Sequence, residues 1–170
     1  MQPNLWYAIT FLGDPIIWAY LSVVLLLMYF IIRDNASQKS RRFLKTLLIV
    51  LIPSIAFSLI FTGVMKDTFQ IARPCIPCTE GAADCNEFCP TNPQYAFPSG
   101  HAATGFVAYT SFYLVWGRRR YLPVFILPVL VAASRLILGV HTLTDVVAGS
   151  VLGLVITLLF WKARNTFPWK

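Results

Sequence analysis

Charge is what this chain has least of. Of its 170 residues only 12% are charged, with seven Asp and Glu in total and two histidines. A soluble domain of this size carries about 25% charged residues, so the deficit excludes an ordinary water-soluble fold. Few carboxylates, none of them clustered, leave no acidic metal cage to read. Two histidines limit imidazole chemistry to one pair of groups. Sequence repeats of the solenoid kind are missing, and no stretch is left over for a second, soluble domain. The first fourteen residues lack a basic region and a small-residue cleavage site, so no cleavable signal peptide is expected.

What the chain has instead is apolar. Hydrophobic residues make up 57% of it, and the mean hydropathy is +0.66. The expected fold is all-α, an integral membrane bundle of about five spans forming one unit over residues 1–170. The spans are placed at 15–32, 43–65, 101–116, 122–138 and 143–161, each close to the ~20 apolar residues a bilayer requires. Pro53 is the expected kink of the second span. Residues 1–14 are too short to cross; Trp6 and Tyr7 favour the headgroup level and suggest a short interfacial segment, with a frayed tail as the alternative. Residues 66–100 form the one long loop.

A net charge of +7 would suggest nucleic acid in a soluble protein. Its placement suggests a bilayer and no nucleic acid. Grouping the 33–45 linker, the Arg118–Arg120 turn and the C-terminus collects Arg33, Lys39, Arg41, Arg42, Lys45, Arg118, Arg119, Arg120, Lys162, Arg164 and Lys170 on one side. Excess Lys and Arg marks the cytoplasmic face, which puts the N-terminus outside and the C-terminus inside. All eleven are read as topogenic. Lys66, Arg73 and Arg135 remain on the outer side, against the rule, and an anionic ligand is the simplest reason for them.

The outer loop also holds all four cysteines, Cys75, Cys78, Cys85 and Cys89. Their CxxC and CxxxC spacing is compatible with tetrahedral zinc. An extracytoplasmic loop lies in an oxidising compartment, however, so two structural disulfides are the expectation. Three connectivities are open. Their role is to brace the loop that presents Arg73 and the segment before Ser99.

Three groups near the outer face carry chemistry. They are KDTFQIARP, with Lys66 and Arg73 seven apart; PSGH, Pro98 to His101; and SRLILGVHTLTD, Ser134 to Asp145. Lys66, Arg73 and Arg135 suit phosphate oxygens. Ser99 and Gly100 precede a helix whose free N–H groups favour anions, and Gly100 permits close backbone approach. His141 and Asp145 are four apart and meet on a helix face, where a carboxylate can fix the imidazole tautomer. A covalent phosphohistidine route needs a nucleophile, for which His141 is suited, and an acid, for which His101 is suited. Structural ion pairing is the bland alternative. Two histidines at the outer ends of spans, beside these cations, favour function.

In that order, KxxxxxxRP, PSGH and SRxxxxxHxxxD resemble the three signature motifs of the type 2 phosphatidic acid phosphatases, the lipid phosphate phosphatases. That superfamily also includes glucose-6-phosphatase and the vanadium haloperoxidases. Every signature position is present: Lys66, Arg73 and Pro74; Pro98, Ser99, Gly100 and His101; Ser134, Arg135, His141 and Asp145. The resemblance covers residues 66–145. It implies phosphate binding by Lys66, Arg73, Ser99, Gly100 and Arg135, protonation of the leaving group by His101, and attack by His141 oriented by Asp145. No metal and no other cofactor is implied. Many members have six spans with both ends inside; five are read here.

The function expected is hydrolysis of a lipid phosphomonoester or pyrophosphate at the outer, periplasmic face of the cytoplasmic membrane. Bacterial relatives act on undecaprenyl pyrophosphate, phosphatidylglycerol phosphate, phosphatidic acid or lipid A 1-phosphate, and the chain does not choose among these phospholipid and polyprenyl substrates. A non-enzymatic lipid or ion carrier and a vanadate-dependent oxidase are the rivals. A carrier places charge at mid-bilayer, whereas these spans are nearly charge-free.

One packing expectation goes beyond the motifs. Asp145, Gly149 and Gly153 follow one another at spacing four. The GxxxG pair lets a neighbouring helix approach closely, and the third span offers Ala102, Ala103 and Gly105 to receive it.

Overall fold

The computed structural model describes residues 3–76, 78, 85–90 and 95–164. Lys170 and the remaining parts of the outer loop lie outside the described residues. Six α-helices and no strand are present among them. Helix α1 is Pro3–Thr10, followed by a 3-10 turn over Phe11–Gly13. Then come α2 (Pro15–Ile32), α3 (Gln38–Phe69), α4 (Gly100–Trp116), α5 (Ile126–Ile137) and α6 (Leu143–Ala163).

Each boundary has a local cause. Asp14 caps α2, its Oδ1 accepting from the N–H groups of Ile16 (2.8 Å) and Ile17 (3.1 Å). Pro15 is pre-set for the first helical turn that follows. Ser37 caps α3 by accepting from Ser40 N–H, and Gln70 ends it in the left-handed conformation (φ 48°). Gly117 (φ 64°) ends α4 in the same way, at no side-chain cost. Thr142 and Asp145 form a capping box at the start of α6.

Two span boundaries differ from the sequence expectation. The second span was expected at 43–65, but α3 has 32 residues and runs unbroken through Pro53. At 1.5 Å per residue it is about 48 Å long, well beyond the ~30 Å hydrocarbon core. An apolar window measures the bilayer rather than the helix. The polar turns beyond it at both ends stay helical, so Lys66 belongs to α3 and the loop starts later than 66. The fourth span, expected at 122–138, begins as a 3-10 helix over Arg119–Phe125 and becomes α-helical only at Ile126. Pro123 and Pro128 lack the N–H groups that regular α-helical bonding would use in that stretch.

Among the described residues, four helical segments are long and apolar enough to cross a membrane: Pro15–Ile32, Gln38–Phe69, Arg119–Ile137 and Leu143–Ala163. The fifth expected span is α4, which has 17 residues and sits at the centre of the bundle with Ala102, Ala103, Val107 and Ala108 fully buried. Outward faces are apolar and exposed, as at Ile16, Tyr20, Leu27 and Ile31 of α2. This is the inverse of a water-soluble surface. The chain is a multi-pass membrane protein.

Helices α4 and α6 approach closely, and the GxxxG pair is the reason. A Cβ on Gly149 would run into the Ser99 carbonyl, and one on Gly153 into the Ala103 carbonyl. Ser99 and Ala103 lie on the first turns of α4, where the sequence expected this contact. Gly105 faces the other way, toward Pro128, Val131 and Gly13. Backbone bonding reinforces the junction, because Ser99 N–H donates to the Asp145 carbonyl at 2.9 Å.

The cysteines form two nested disulfides, Cys75–Cys89 and Cys78–Cys85. Between the bonded pairs, Asn86 Nδ2 donates to the Leu138 carbonyl at 2.7 Å, seating the loop on the turn between α5 and α6.

Gly149→Leu should lower thermal stability by about 1–3 kcal/mol, as overpacking does. Gly63→Ala, whose Cβ would meet nothing within 4 Å, should raise stability by up to about 1 kcal/mol. Thermal unfolding in one detergent compares the two; equal effects would contradict the packing argument.

Candidate active site

One end of the bundle gathers the chemistry. A cavity of about 430 Å³ is bounded by Lys66, Arg73, Gly100, His101 and Arg135, with Pro15 and Leu59 on its apolar side. Lys66 comes from the last turn of α3, Arg73 from the loop, Gly100 and His101 from the first turn of α4, and Arg135 from the last turn of α5.

His141 stands in the turn between α5 and α6, which Gly139 closes in the left-handed conformation (φ 69°). Its side chain is 2% exposed. Nδ1 lies 3.5 Å from Asp145 Oδ2, too long for a hydrogen bond, and has no other partner. Such contacts often tighten only when substrate binds. Asp145 is itself held, since its Oδ2 accepts from Thr142 N–H at 2.8 Å. On the other edge of the ring, Nε2 is 3.2 Å from Arg73 Nη1, which also donates to the Val140 carbonyl at 3.1 Å. A guanidinium can only donate, so Nε2 accepts and the ring proton sits on Nδ1, toward Asp145.

Burial pushes the His141 imidazole well below its ordinary range, and Arg73, Arg135, Lys66 and His101 push it the same way. The ring is therefore neutral, and its Nε2 lone pair is the one that accepts from Arg73. Because the neutral form is favoured in the folded state, His141 costs stability as pH falls below the unfolded value of about 6.5.

Arg135 is buried, with Nη1 donating to Thr10 Oγ1 at 2.8 Å. Its Nε is buried without a partner, and so is Ser99 Oγ. Buried donors lacking partners are costly, and both belong to the phosphate-binding set expected from sequence.

Two contributors escaped the sequence reading, and both come from the segment expected to be interfacial or frayed. Thr10 positions Arg135. Asp14 lies with its Oδ2 3.5 Å from His101 Nε2 while its Oδ1 caps α2. The contact with His101, opposed by burial and aided by the capping bonds, lowers the Asp14 pKa to about 2. The segment is wedged in place, since a Cβ on Gly13 would fall 2.6 Å from the His101 carbonyl and collide with Val131. The available signal was Asp14 itself, an acidic residue immediately before a proline that opens an apolar run.

All eight expected site residues thus gather at this one end of the bundle. Apolar helices surround a cluster of three cations and two imidazoles, each imidazole 3.5 Å from a carboxylate, at one end of a membrane bundle. Residues 47–169 match the PAP2 superfamily, and the chain belongs to it. No curated protein matches the chain significantly. Two solved structures share its fold. One is the first transmembrane PAP2-type phosphatidylglycerolphosphate phosphatase from Bacillus subtilis, at TM-score 0.69 and 23% identity, covering 99% of this chain and 79% of that one. The other is Aquifex aeolicus LpxE, at TM-score 0.60 and 22% identity, covering 94% of this chain and 85% of that one.

The neutral state of His141 can be read by nitrogen NMR of labelled, ligand-free protein in detergent. At pH 5 the ring should be uncharged with its proton on Nδ1, whereas an ordinary histidine would be mostly protonated. Titration of His141 near pH 6.5 would contradict the electrostatics described.

Proposed function

We propose that the protein is a lipid phosphate phosphatase working through a phosphohistidine on His141. The observation that carries this reading is the convergence of three cations and His101 on one cavity at the end of a membrane bundle, with His141 buried directly behind Arg73 and each imidazole 3.5 Å from its own carboxylate. The substrate phosphate is held by Lys66, Arg73 and Arg135, with the N-terminus of α4 at Gly100 and the Ser99 hydroxyl completing the cup. Arg73 turns from Nε2 of His141 to the phosphate, leaving that lone pair to attack phosphorus. The P–O bond to the lipid breaks, and His101 gives its proton to the leaving oxygen. Asp14 favours the charged imidazolium of His101 until that proton is needed. A water molecule, deprotonated by His101, then breaks the P–N bond and releases inorganic phosphate. Asp145 stabilises the charge that His141 carries in between.

Three fixed cations supply the charge that a metal would otherwise provide, so the reaction is proposed to need neither metal nor cofactor. A lipid substrate is favoured by the apolar side of the cavity, where Leu59 is 39% exposed on an outward face of α3. A headgroup could thus reach the cations with its chain still in the bilayer. The names of the two solved relatives, one of them a phosphatidylglycerolphosphate phosphatase, point the same way. The excess of Lys and Arg at the opposite end supports a cup on the outer face of the cytoplasmic membrane, with the N-terminus outside. The proposed catalytic unit is the whole chain.

Phosphate release from phosphatidic acid, phosphatidylglycerol phosphate, undecaprenyl pyrophosphate and lipid A 1-phosphate tests this directly. His141→Ala should abolish turnover in a protein that still folds. Asn is a good helix cap, so Asp14→Asn should keep its stability and lose roughly tenfold to hundredfold in kcat. Excess chelator should change nothing. Turnover by His141→Ala, or release that requires a divalent ion, would refute the mechanism.

A further inference from the structure

The other end of the bundle has a cavity of its own. It measures about 420 Å³ and lies between the first turns of α3, the end of α4 and the 3-10 turn that follows it. Lys39, Arg42, Arg118 and Arg120 line it together with Trp116 and Tyr121, and among the described residues no carboxylate does. Topogenic charges need only be numerous on one side of the membrane; they need not converge. Here four converge on one concavity, where they repel one another until an anion enters.

The side chains are also free to bind. The side chains of Lys39, Arg42 and Arg118 make no hydrogen bond or ion pair among the described residues. Arg120 is positioned in advance, its Nη2 donating to Tyr121 Oη at 2.7 Å and its guanidinium 4.8 Å from the centre of that ring. The Trp116 and Tyr121 rings lie 4.7 Å apart, forming an amphipathic wall of the kind that sits at headgroup depth. One residue beyond Tyr121, an exposed apolar track of Leu122, Ile126 and Val129 runs toward mid-bilayer. A phosphate group alone would use the cations. A phospholipid would use the cations and the track.

We propose that this cavity binds the phosphate headgroup of an anionic phospholipid from the leaflet opposite the catalytic cup. The lipid clips the start of α3 to the end of α4, the helix whose other end carries His101. Basic pockets between membrane helices are suited to such headgroups. This proposal is independent of the reaction assigned to the cup. Phosphatidylglycerol is a suitable probe because it is an anionic phosphodiester without the phosphomonoester or pyrophosphate group that the cup is proposed to hydrolyse.

The test is thermal stability of the full-length protein in zwitterionic micelles titrated with phosphatidylglycerol, with phosphatidylcholine and inorganic phosphate as parallel arms. Lipids retained in native mass spectrometry are counted alongside. Phosphatidylglycerol should raise the unfolding temperature and leave one lipid bound. Arg42→Gln/Arg118→Gln should weaken that apparent affinity by roughly tenfold or more. Without added lipid, the double variant's unfolding temperature should match that of wild type, showing that it is folded. Arg33→Gln/Lys162→Gln removes two cations from the same end that do not line the cavity, and should leave the response unchanged. An equal loss in that control would overturn the proposal, as bulk charge would then explain the effect. Equal stabilisation by inorganic phosphate, or no response to phosphatidylglycerol in wild type, would overturn it as well.

Discussion

The active end of this protein depends on how closely α4 can lie against α6. Two residues without side chains, Gly149 and Gly153, let the carbonyls of Ser99 and Ala103 sit where a Cβ would otherwise be. That approach allows Ser99 N–H to reach the Asp145 carbonyl. The strand of chain leading into His101 and the helix turn that orients His141 are thereby fixed to each other by backbone. In a bilayer, where hydrophobic burial does not drive helices together, such contact rests on shape and hydrogen bonds. The positions of both imidazoles follow from it.

Charge is then distributed so that the two histidines differ. His141 is almost completely enclosed and faces Arg73, so burial and cations both favour its neutral form. His101 faces the cavity and has the Asp14 carboxylate 3.5 Å from its Nε2, so the two rings sit in different surroundings. A reaction requiring one imidazole as nucleophile and the other as acid needs this difference, because identical environments would give identical protonation. The proximity of Lys66, Arg73 and Arg135 is unfavourable in the empty protein and becomes favourable once a phosphate lies between them. The unpartnered Arg135 Nε and Ser99 Oγ fit the same account.

Much of this was legible in the order of residues. The three motifs identify the family, and their ends of the apolar runs place them at one face. The CxxC and CxxxC pairs in the long loop, expected to face outward, indicated disulfides, and the Gly149–Gly153 spacing indicated a close helix contact. The connectivity of the cysteines was not legible, because spacing permits three pairings and only the path of the loop selects the nested one. The reach of α3 was missed because hydropathy stops at the bilayer edge while backbone hydrogen bonding continues. Thr10 and Asp14 were missed for a different reason. Their partners, Arg135 and His101, are distant in sequence, and the short segment before the first span carries no periodic signal that would dock it into the cup.

The account rests on His141 forming the covalent bond to phosphorus. Acid-labile phosphate can be trapped by rapid alkaline quenching during turnover of an activated phosphomonoester, then located by peptide mass spectrometry. Phosphate should be found on the peptide containing His141, at its imidazole. Its appearance on His101, or turnover with no phosphorylated histidine at any time, would contradict the account.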